Sequence, residues 1–207
     1  MRSVFVPLVI LALAGCSDPK AASEKNFKTA VQNYLDALYP RCYVVSSFPA
    51  FKSDWDINHS NEKLAALAKA GLLTEKEVEV EEKDFMGRLK TVKKLSYNLN
   101  DEGKKYYKAA VAKNMRGDSL GGLCAGKATV KSIVQYSEPA DMMGLKVSQV
   151  NYEYTVAGLP KWASSPELQK YVEGLKPDVD SQDTPVKKAE AVILTNNGWV
   201  HEKLFSR

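Results

Sequence analysis

The side chains with the greatest capacity for chemistry in this 207-residue sequence are three cysteines and two histidines. Cys16, Cys42 and Cys124 lie far apart, so none forms the Cys-x-x-Cys pair typical of redox and zinc sites. Nothing around His59 or His201 has the spacing of metal ligands, and no histidine neighbours a cysteine in sequence. We therefore expect no metal site, no catalytic residue of this kind and no cofactor.

The carboxylates make a weaker case for catalysis. Asp54, Asp56, Asp141 and Glu153 are candidates for an acid–base pair of the kind that hydrolyses glycosidic bonds. A chain with 25 acidic residues always offers such pairs, so their presence alone predicts no reaction. The sequence contains no HExxH motif, and we expect a protein that is not an enzyme.

The N-terminal residues combine a positive charge, an apolar run and small residues before a cysteine. Arg2 supplies the charge, Val4 to Ala14 form a run too short to span a bilayer, and Leu13-Ala14-Gly15-Cys16 ends it. This pattern resembles the signal peptide and lipobox of bacterial lipoproteins. The resemblance implies that residues 1–15 are removed, that Cys16 carries the lipid, and that residues 16–23 form a short tether.

The residue after the lipobox bears on localisation. In enterobacterial lipoproteins, serine rather than aspartate at this position implies transport to the outer membrane, and Ser17 fits that sorting pattern. We expect a lipid-anchored protein of the cell outer membrane that faces the periplasm. Anchoring in the inner membrane, display on the cell surface, and an ordinary secretory signal with an unrelated cysteine stay open as alternatives.

Cys42 and Cys124 remain once Cys16 carries lipid, and the chain then leaves the reducing cytosol. The plain prediction is a disulfide between them. It would join residues 82 positions apart, for which the chain-entropy model gives about 4.5 kcal/mol. Two buried free thiols, or a catalytic thiol, are the alternatives.

The elements that position these residues differ between the two halves. In the first half, apolar spacing predicts a helix capped by Ser23 and a second helix over residues 62–70 ended by Gly71. A β-hairpin follows, in which a loop at 85–87 would place Glu82 opposite Lys90 and Val80 opposite Val92. A third helix is expected from about Asp101 to Lys113.

Part of this half carries a second resemblance. Leu64-x-x-Leu67-x-x-x-Gly71-Leu72-Leu73, the charged hairpin and Tyr97-x-Leu99-Asn100-x-x-Gly103 are similar to the winged-helix pattern of bacterial regulators. The resemblance implies a winged-helix-like domain over 24–117. Such domains usually bind DNA, but the matching helix offers only Lys63 and Lys69 as basic residues, so we expect no nucleic-acid partner.

The second half is predicted to be a small antiparallel sheet domain, 118–207, which makes the overall class α+β. Asp118 to Gly122 reads as a flexible linker, and alternation predicts strands over 128–136, 146–156, 189–195 and 199–205. A single helix is expected over 166–175. Five aromatic residues of this half could line a pocket or simply pack in the core: Tyr136, Tyr152, Tyr154, Trp162 and Trp199.

Apolar residues in loops of this half suggest a binding surface. Met142, Met143 and Trp162 are the candidates, because exposed apolar residues often mark partner contacts. A net charge of +4 on a chain with 26% charged residues names no polyanionic partner. We therefore expect a membrane-anchored, non-enzymatic module that binds an envelope protein or peptidoglycan. The alternatives are a cell-wall hydrolase and an inhibitor or immunity-type lipoprotein.

Overall fold

The fold, seen in a computed structural model, is α+β with antiparallel sheets, as predicted. The structure describes residues 18–56 and 58–205. The predicted signal peptide, Cys16 and Ser17 lie outside these residues.

The helices are α1 (Glu24–Leu38), α2 (Ser60–Lys69), α3 (Asp101–Tyr106), α4 (Pro166–Tyr171), α5 (Leu175–Asp180) and α6 (Glu202–Phe205), with a 3-10 helix over Lys161–Ser164. The strands are β1 (Arg41–Val44), β2 (Ala50–Phe51), β3 (Leu73–Lys83), β4 (Leu89–Leu99), β5 (Tyr107–Lys113), β6 (Ser119–Ala125), β7 (Lys127–Tyr136), β8 (Ala140–Met142), β9 (Leu145–Ala157), β10 (Val186–Thr195) and β11 (Gly198–His201).

The largest sheet has the order β11-β10-β9-β7, with β8 paired to β9, and α1 packs across it. Ser23 caps α1, as predicted, by accepting a hydrogen bond from the Asn26 N–H at 3.3 Å. The apolar face of α1 and alternate residues of the strands form one buried group, called here the first cluster. Its members are Phe27, Ala30, Val31, Tyr34, Leu35, Tyr39, Ala128, Val130, Ile133, Val150, Tyr152, Tyr154, Val156, Val192 and Trp199.

Two three-stranded sheets, β1-β6-β5 and β2-β4-β3, surround the rest of the core. Helix α2 ends at Lys69, and Gly71 terminates it as predicted, because its φ of 77° allows the N–H of Leu72 to reach the Leu67 carbonyl at 3.1 Å. The buried side chains here form the second cluster: Tyr43, Val45, Leu64, Ala66, Leu67, Leu72, Leu73, Tyr97, Leu123, Ala125, Trp162, Ala163, Leu168, Val172 and Leu175.

The predicted disulfide is present. Cys42 on β1 lies directly opposite Cys124 on β6, and their sulfur atoms are 2.00 Å apart. The bond therefore ties the strand that follows α1 to the strand that precedes the large sheet. The alternatives of two free thiols or a catalytic thiol at these positions do not hold.

The charged hairpin also forms in the predicted register. Glu82 pairs with Lys90 and Val80 with Val92 across β3 and β4. At the tip, the Asp84 N–H donates to the Arg88 carbonyl at 2.9 Å, and the two side chains form an ion pair. Distal residues of both strands are largely exposed, so the hairpin projects from the second cluster as an arm.

Four expectations about local structure were wrong. The third helix ends at Tyr106, because the residues after it pair as β5 with β6. Residues 119–122 are not a linker but belong to β6, which is bonded on both sides by β1 and β5. The segment after the large sheet's third strand holds α4, α5 and a 3-10 turn rather than one helix, and α6 rather than a strand ends the described chain.

The buried clusters each draw on both halves of the sequence. Helix α1 packs in the first cluster with strands from beyond residue 126, whereas α4 and α5 pack in the second. Whether 24–117 and 118–207 fold separately stays a prediction.

Candidate functional site

A small cleft lies between α1 and the covered face of β9 and β10. Its volume is about 220 Å³, and it is lined by Tyr34, Leu35, Leu38, Arg41, Tyr152, Tyr154, Lys188, Glu190 and Lys203. Tyr152 and Tyr154 reach it together because alternate residues of a strand share a face. Two of the five aromatic residues proposed for a pocket therefore line one. Trp199 and Tyr136 instead pack edge-on against Phe27.

Glu190 is the centre of a hydrogen-bond network in this cleft. Its carboxylate accepts bonds from the Tyr152 hydroxyl and the Lys203 ammonium, and from His201 Nε2 at 3.1 Å. Burial alone would raise the pKa of Glu190, but the three donors outweigh it and lower the pKa to about 2. Burial and the bond to Glu190 raise the pKa of Tyr152. Glu190 is therefore held as an anion and is unsuited to act as a general acid.

The orientation of His201 follows from its second nitrogen. The Lys203 backbone N–H donates to His201 Nδ1 at 3.2 Å, so the ring proton lies on Nε2 and points to Glu190. The side chain is fully buried and stacks on Tyr34, with ring centroids 3.9 Å apart. His201 therefore orders the wall of the cleft and does not face its opening.

Arg41 connects the mouth of the cleft to a buried carboxylate. One guanidinium N–H reaches Asp178 Oδ2 at 3.4 Å, and Asp178 itself is completely buried. The same oxygen accepts hydrogen bonds from the Tyr39 hydroxyl at 2.8 Å and from the Tyr43 hydroxyl at 2.7 Å. Since Tyr39 belongs to the first cluster and Tyr43 to the second, Asp178 joins the two.

The three predicted binding residues lie in two different environments. Met142 and Met143, at the turn between β8 and β9, are 59% and 99% exposed. Trp162 is only 6% exposed and packs edge-on against Tyr43 and Tyr106 in the second cluster. It borders an open groove of about 610 Å³, although its buried indole N–H has no acceptor among the residues that the structure describes.

Two other hairpin tips carry exposed apolar side chains. At the turn between β3 and β4, Phe85 is 97% exposed and Met86 is 64% exposed. Met115, at the turn between β5 and β6, is fully exposed. Sequence arguments single out Met142 and Met143 but pass over these tips, whose signal is a large apolar residue one or two positions before a turn glycine.

Three of the four candidate carboxylates have separate structural partners. Asp56 accepts hydrogen bonds from the backbone N–H groups of Ser60 and Asn61 at the start of α2. Asp141 pairs with Lys146 at 3.5 Å, and Glu153 pairs with Lys187 at 3.7 Å. Asp54 lies exposed in the loop after β2. No two of the four are placed together in the cleft.

Residues 117–121 also match the Gly-x-Ser-x-Gly pattern of serine hydrolases, a signal absent from the predicted sites. In those enzymes the serine occupies a turn between a strand and a helix. Ser119 instead begins strand β6 in a hairpin, and no histidine or carboxylate in the described ranges hydrogen-bonds its Oγ. The pattern is therefore not in the structural setting that makes such a serine nucleophilic.

Residues 18–56 and 58–205 contain no candidate metal site and no candidate membrane-spanning helix. No group of three or more histidine, cysteine, aspartate or glutamate side chains is placed to hold a metal ion there. None of the helices in that part of the chain is both long and apolar enough to cross a bilayer.

Comparison with protein-family models, with curated proteins and with solved structures finds no significant match to this chain.

Proposed function

We propose that this chain is a lipid-anchored protein of the bacterial outer membrane that faces the periplasm and binds a protein partner without catalysing a reaction. The lipobox at Leu13 to Cys16 supports the anchor. The Cys42–Cys124 disulfide supports an oxidising compartment, because such bonds persist outside the reducing cytosol. The cleft supports binding over catalysis, because the Glu190 carboxylate is already satisfied by three donors.

The observation that carries the proposal of a protein partner is the tip formed by Met142 and Met143. Two adjacent methionines that are 59% and 99% exposed form an apolar projection of the kind that often marks a partner contact. Methionine is flexible and polarisable, which suits a contact surface. Peptidoglycan is a polar polymer and would gain less from this tip, so a protein is the preferred partner. A toxin held in the periplasm would make the protein an inhibitor or immunity-type lipoprotein.

The anchor is tested by comparing the wild-type chain with Cys16→Ser and Ser17→Asp in a bacterial host. We expect a lipid-modified N-terminus at Cys16 and recovery with the outer membrane. Cys16→Ser should lose the lipid mass and the membrane recovery, and Ser17→Asp should move the protein to the inner membrane. A wild-type chain that is unmodified and soluble would contradict the proposal.

The partner surface is tested by site-specific photo-crosslinking in cells. A crosslinker at Met143 should give a discrete adduct, and the double substitution Met142→Glu with Met143→Glu should abolish co-purification of the same protein. Met115→Glu is the matched control, because Met115 is equally exposed at another hairpin tip. Equal loss with Met115→Glu, or no loss with the double variant, would rule out this tip.

We also propose a winged-helix-like arrangement around α2 and the β3–β4 hairpin, used for structure rather than for DNA binding. The sheet order β2-β4-β3 beside α2 supports it. DNA binding receives no support, since α2 packs against α4 and one of its two lysines is paired while the other is half-buried. Lys69 forms an ion pair with Glu167, and burial lowers the pKa of Lys63.

A further inference from the structure

We infer that the cleft between α1 and the β9–β10 strands binds a small organic monocarboxylate. This site is separate from the methionine tip and does not depend on the proposed protein partner. Three features of the cleft point to this ligand: its excess of positive charge, its walls and its size.

The charge of the lining favours an anion. Arg41, Lys188 and Lys203 bring three positive charges to the cleft, and Glu190 is the one carboxylate in its lining. Lys203 is bound to Glu190, whereas the side chain of Lys188 has no hydrogen bond or ion pair within the described ranges. The Arg41 guanidinium contacts Asp178 at 3.4 Å and lies over the Tyr43 ring at 5.5 Å, which leaves some of its about five N–H donors unused. Lys188 and Arg41 therefore retain donors for an incoming carboxylate.

The occupied acceptors disfavour a cationic ligand. Both Glu190 oxygens already accept hydrogen bonds, one from Lys203 and the other from Tyr152 and His201. A ligand ammonium would find only one acceptor position left on Glu190 and would also meet the lysine and arginine charges. An anion meets neither obstacle.

The walls and the volume favour a ligand with a small apolar body. The rings of Tyr34, Tyr152 and Tyr154 and the side chains of Leu35 and Leu38 form much of the lining. The volume of about 220 Å³ would hold about seven water molecules. A carboxylate attached to one ring or to a short branched chain fits this space, whereas a nucleotide or an acyl chain does not.

The test uses benzoate as the probe, with benzamide as a neutral molecule of the same shape. The protein is the full chain with Cys16→Ser, produced in the periplasm. NMR of ring-labelled tyrosines follows the binding of each probe. We expect saturable shifts of Tyr152 and Tyr154 with benzoate and at least a tenfold weaker effect with benzamide. Equal binding of the two probes, binding of inorganic phosphate alone, or no saturable binding of benzoate would overturn the proposal.

Substitutions on β10 and α1 locate the site. Lys188→Gln should weaken benzoate at least fivefold, because it removes an unpaired cation from the lining. Lys187→Gln is the matched control: the neighbouring side chain pairs with Glu153 and does not line the cleft. Leu38→Trp should also weaken binding by filling the cleft from a position that is 40% exposed. Equal affinities of the Lys187 and Lys188 variants, or unchanged binding in Leu38→Trp, would place benzoate elsewhere and overturn the assignment.

Discussion

The two buried clusters are built in different ways. The first consists of α1 laid across one sheet, so most of its side chains come from elements with a regular apolar face. The second collects side chains from many short elements: β1, α2, β3, β4, β6, the 3-10 turn, α4 and α5. The disulfide fastens this second group, between strands that no short turn connects. The core built from one helix on one sheet thus has no disulfide among the described residues, whereas the core assembled from many short segments has one.

The most informative test of this difference between the clusters is to remove the disulfide. Cys42→Ser with Cys124→Ser should lower the free energy of unfolding by about 4 kcal/mol, because the bond spans 82 residues. Hydrogen exchange should accelerate in β1 and β6 while β9 and β10 stay protected. The measurement is urea denaturation combined with exchange mass spectrometry. Uniform acceleration in both clusters would show that the bond stabilises the molecule as one unit.

Substitution of Asp178 is a second test of the difference between the clusters, because this side chain connects them. Asp178→Ala leaves the Tyr39 and Tyr43 hydroxyls without their buried acceptor and should cost about 3 kcal/mol. Tyr39→Phe removes only one donor and should cost about 1 kcal/mol. Both are measured by urea denaturation, with Asp180→Ala as an exposed control on the same helix. Similar small losses for Asp178→Ala and Asp180→Ala would show that Asp178 does not join the clusters.

The predictability of the clusters differs for the same reason that their construction does. The sequence pattern identifies α1, β7, β9 and β10, because each has one apolar face of regular period. Residues 107–113 were predicted as the end of the third helix, yet they form a strand because β6 offers an edge to pair with. Strand pairing thus overrides a local helical preference among the short elements around the second cluster.

The candidate site was only partly predictable. Alternation placed Tyr152 and Tyr154 on one face, but the cleft also requires residues from α1, β1 and α6. Nothing in the sequence spacing links Arg41 or Lys203 to Glu190, because the three reach one cleft only when α1 crosses the sheet and the chain turns into α6. Trp162 was predicted as exposed from its loop position, and it is buried because α4 and the 3-10 turn fold it into the second cluster.

The stability of the first cluster should depend on pH through Glu190. Its pKa in the folded protein is about 2, below its ordinary value, so its contribution is present at neutral pH and is lost as the pH falls from about 4.5 towards 2. We expect this contribution to be about 2 kcal/mol. Urea denaturation at pH 6 and pH 3 should show a smaller pH dependence for Glu190→Gln than for the wild type. Glu153→Gln, also on this sheet, should behave like the wild type, and equal slopes for all three would contradict the prediction.

The smallest effects should come from the projecting hairpin, where neither cluster contributes burial. Lys93 Nζ lies 3.8 Å from Glu77 Oε1, and both side chains are mostly exposed. Solvent screens such a pair, so Lys93→Ala should change the free energy of unfolding by less than about 0.5 kcal/mol. A double-mutant cycle with Glu77→Ala measures the coupling in low and high salt. A coupling above 1 kcal/mol would mean that the charges of the arm act as a network. Cross-strand charge pairs would then hold this hairpin in register where no buried face does so.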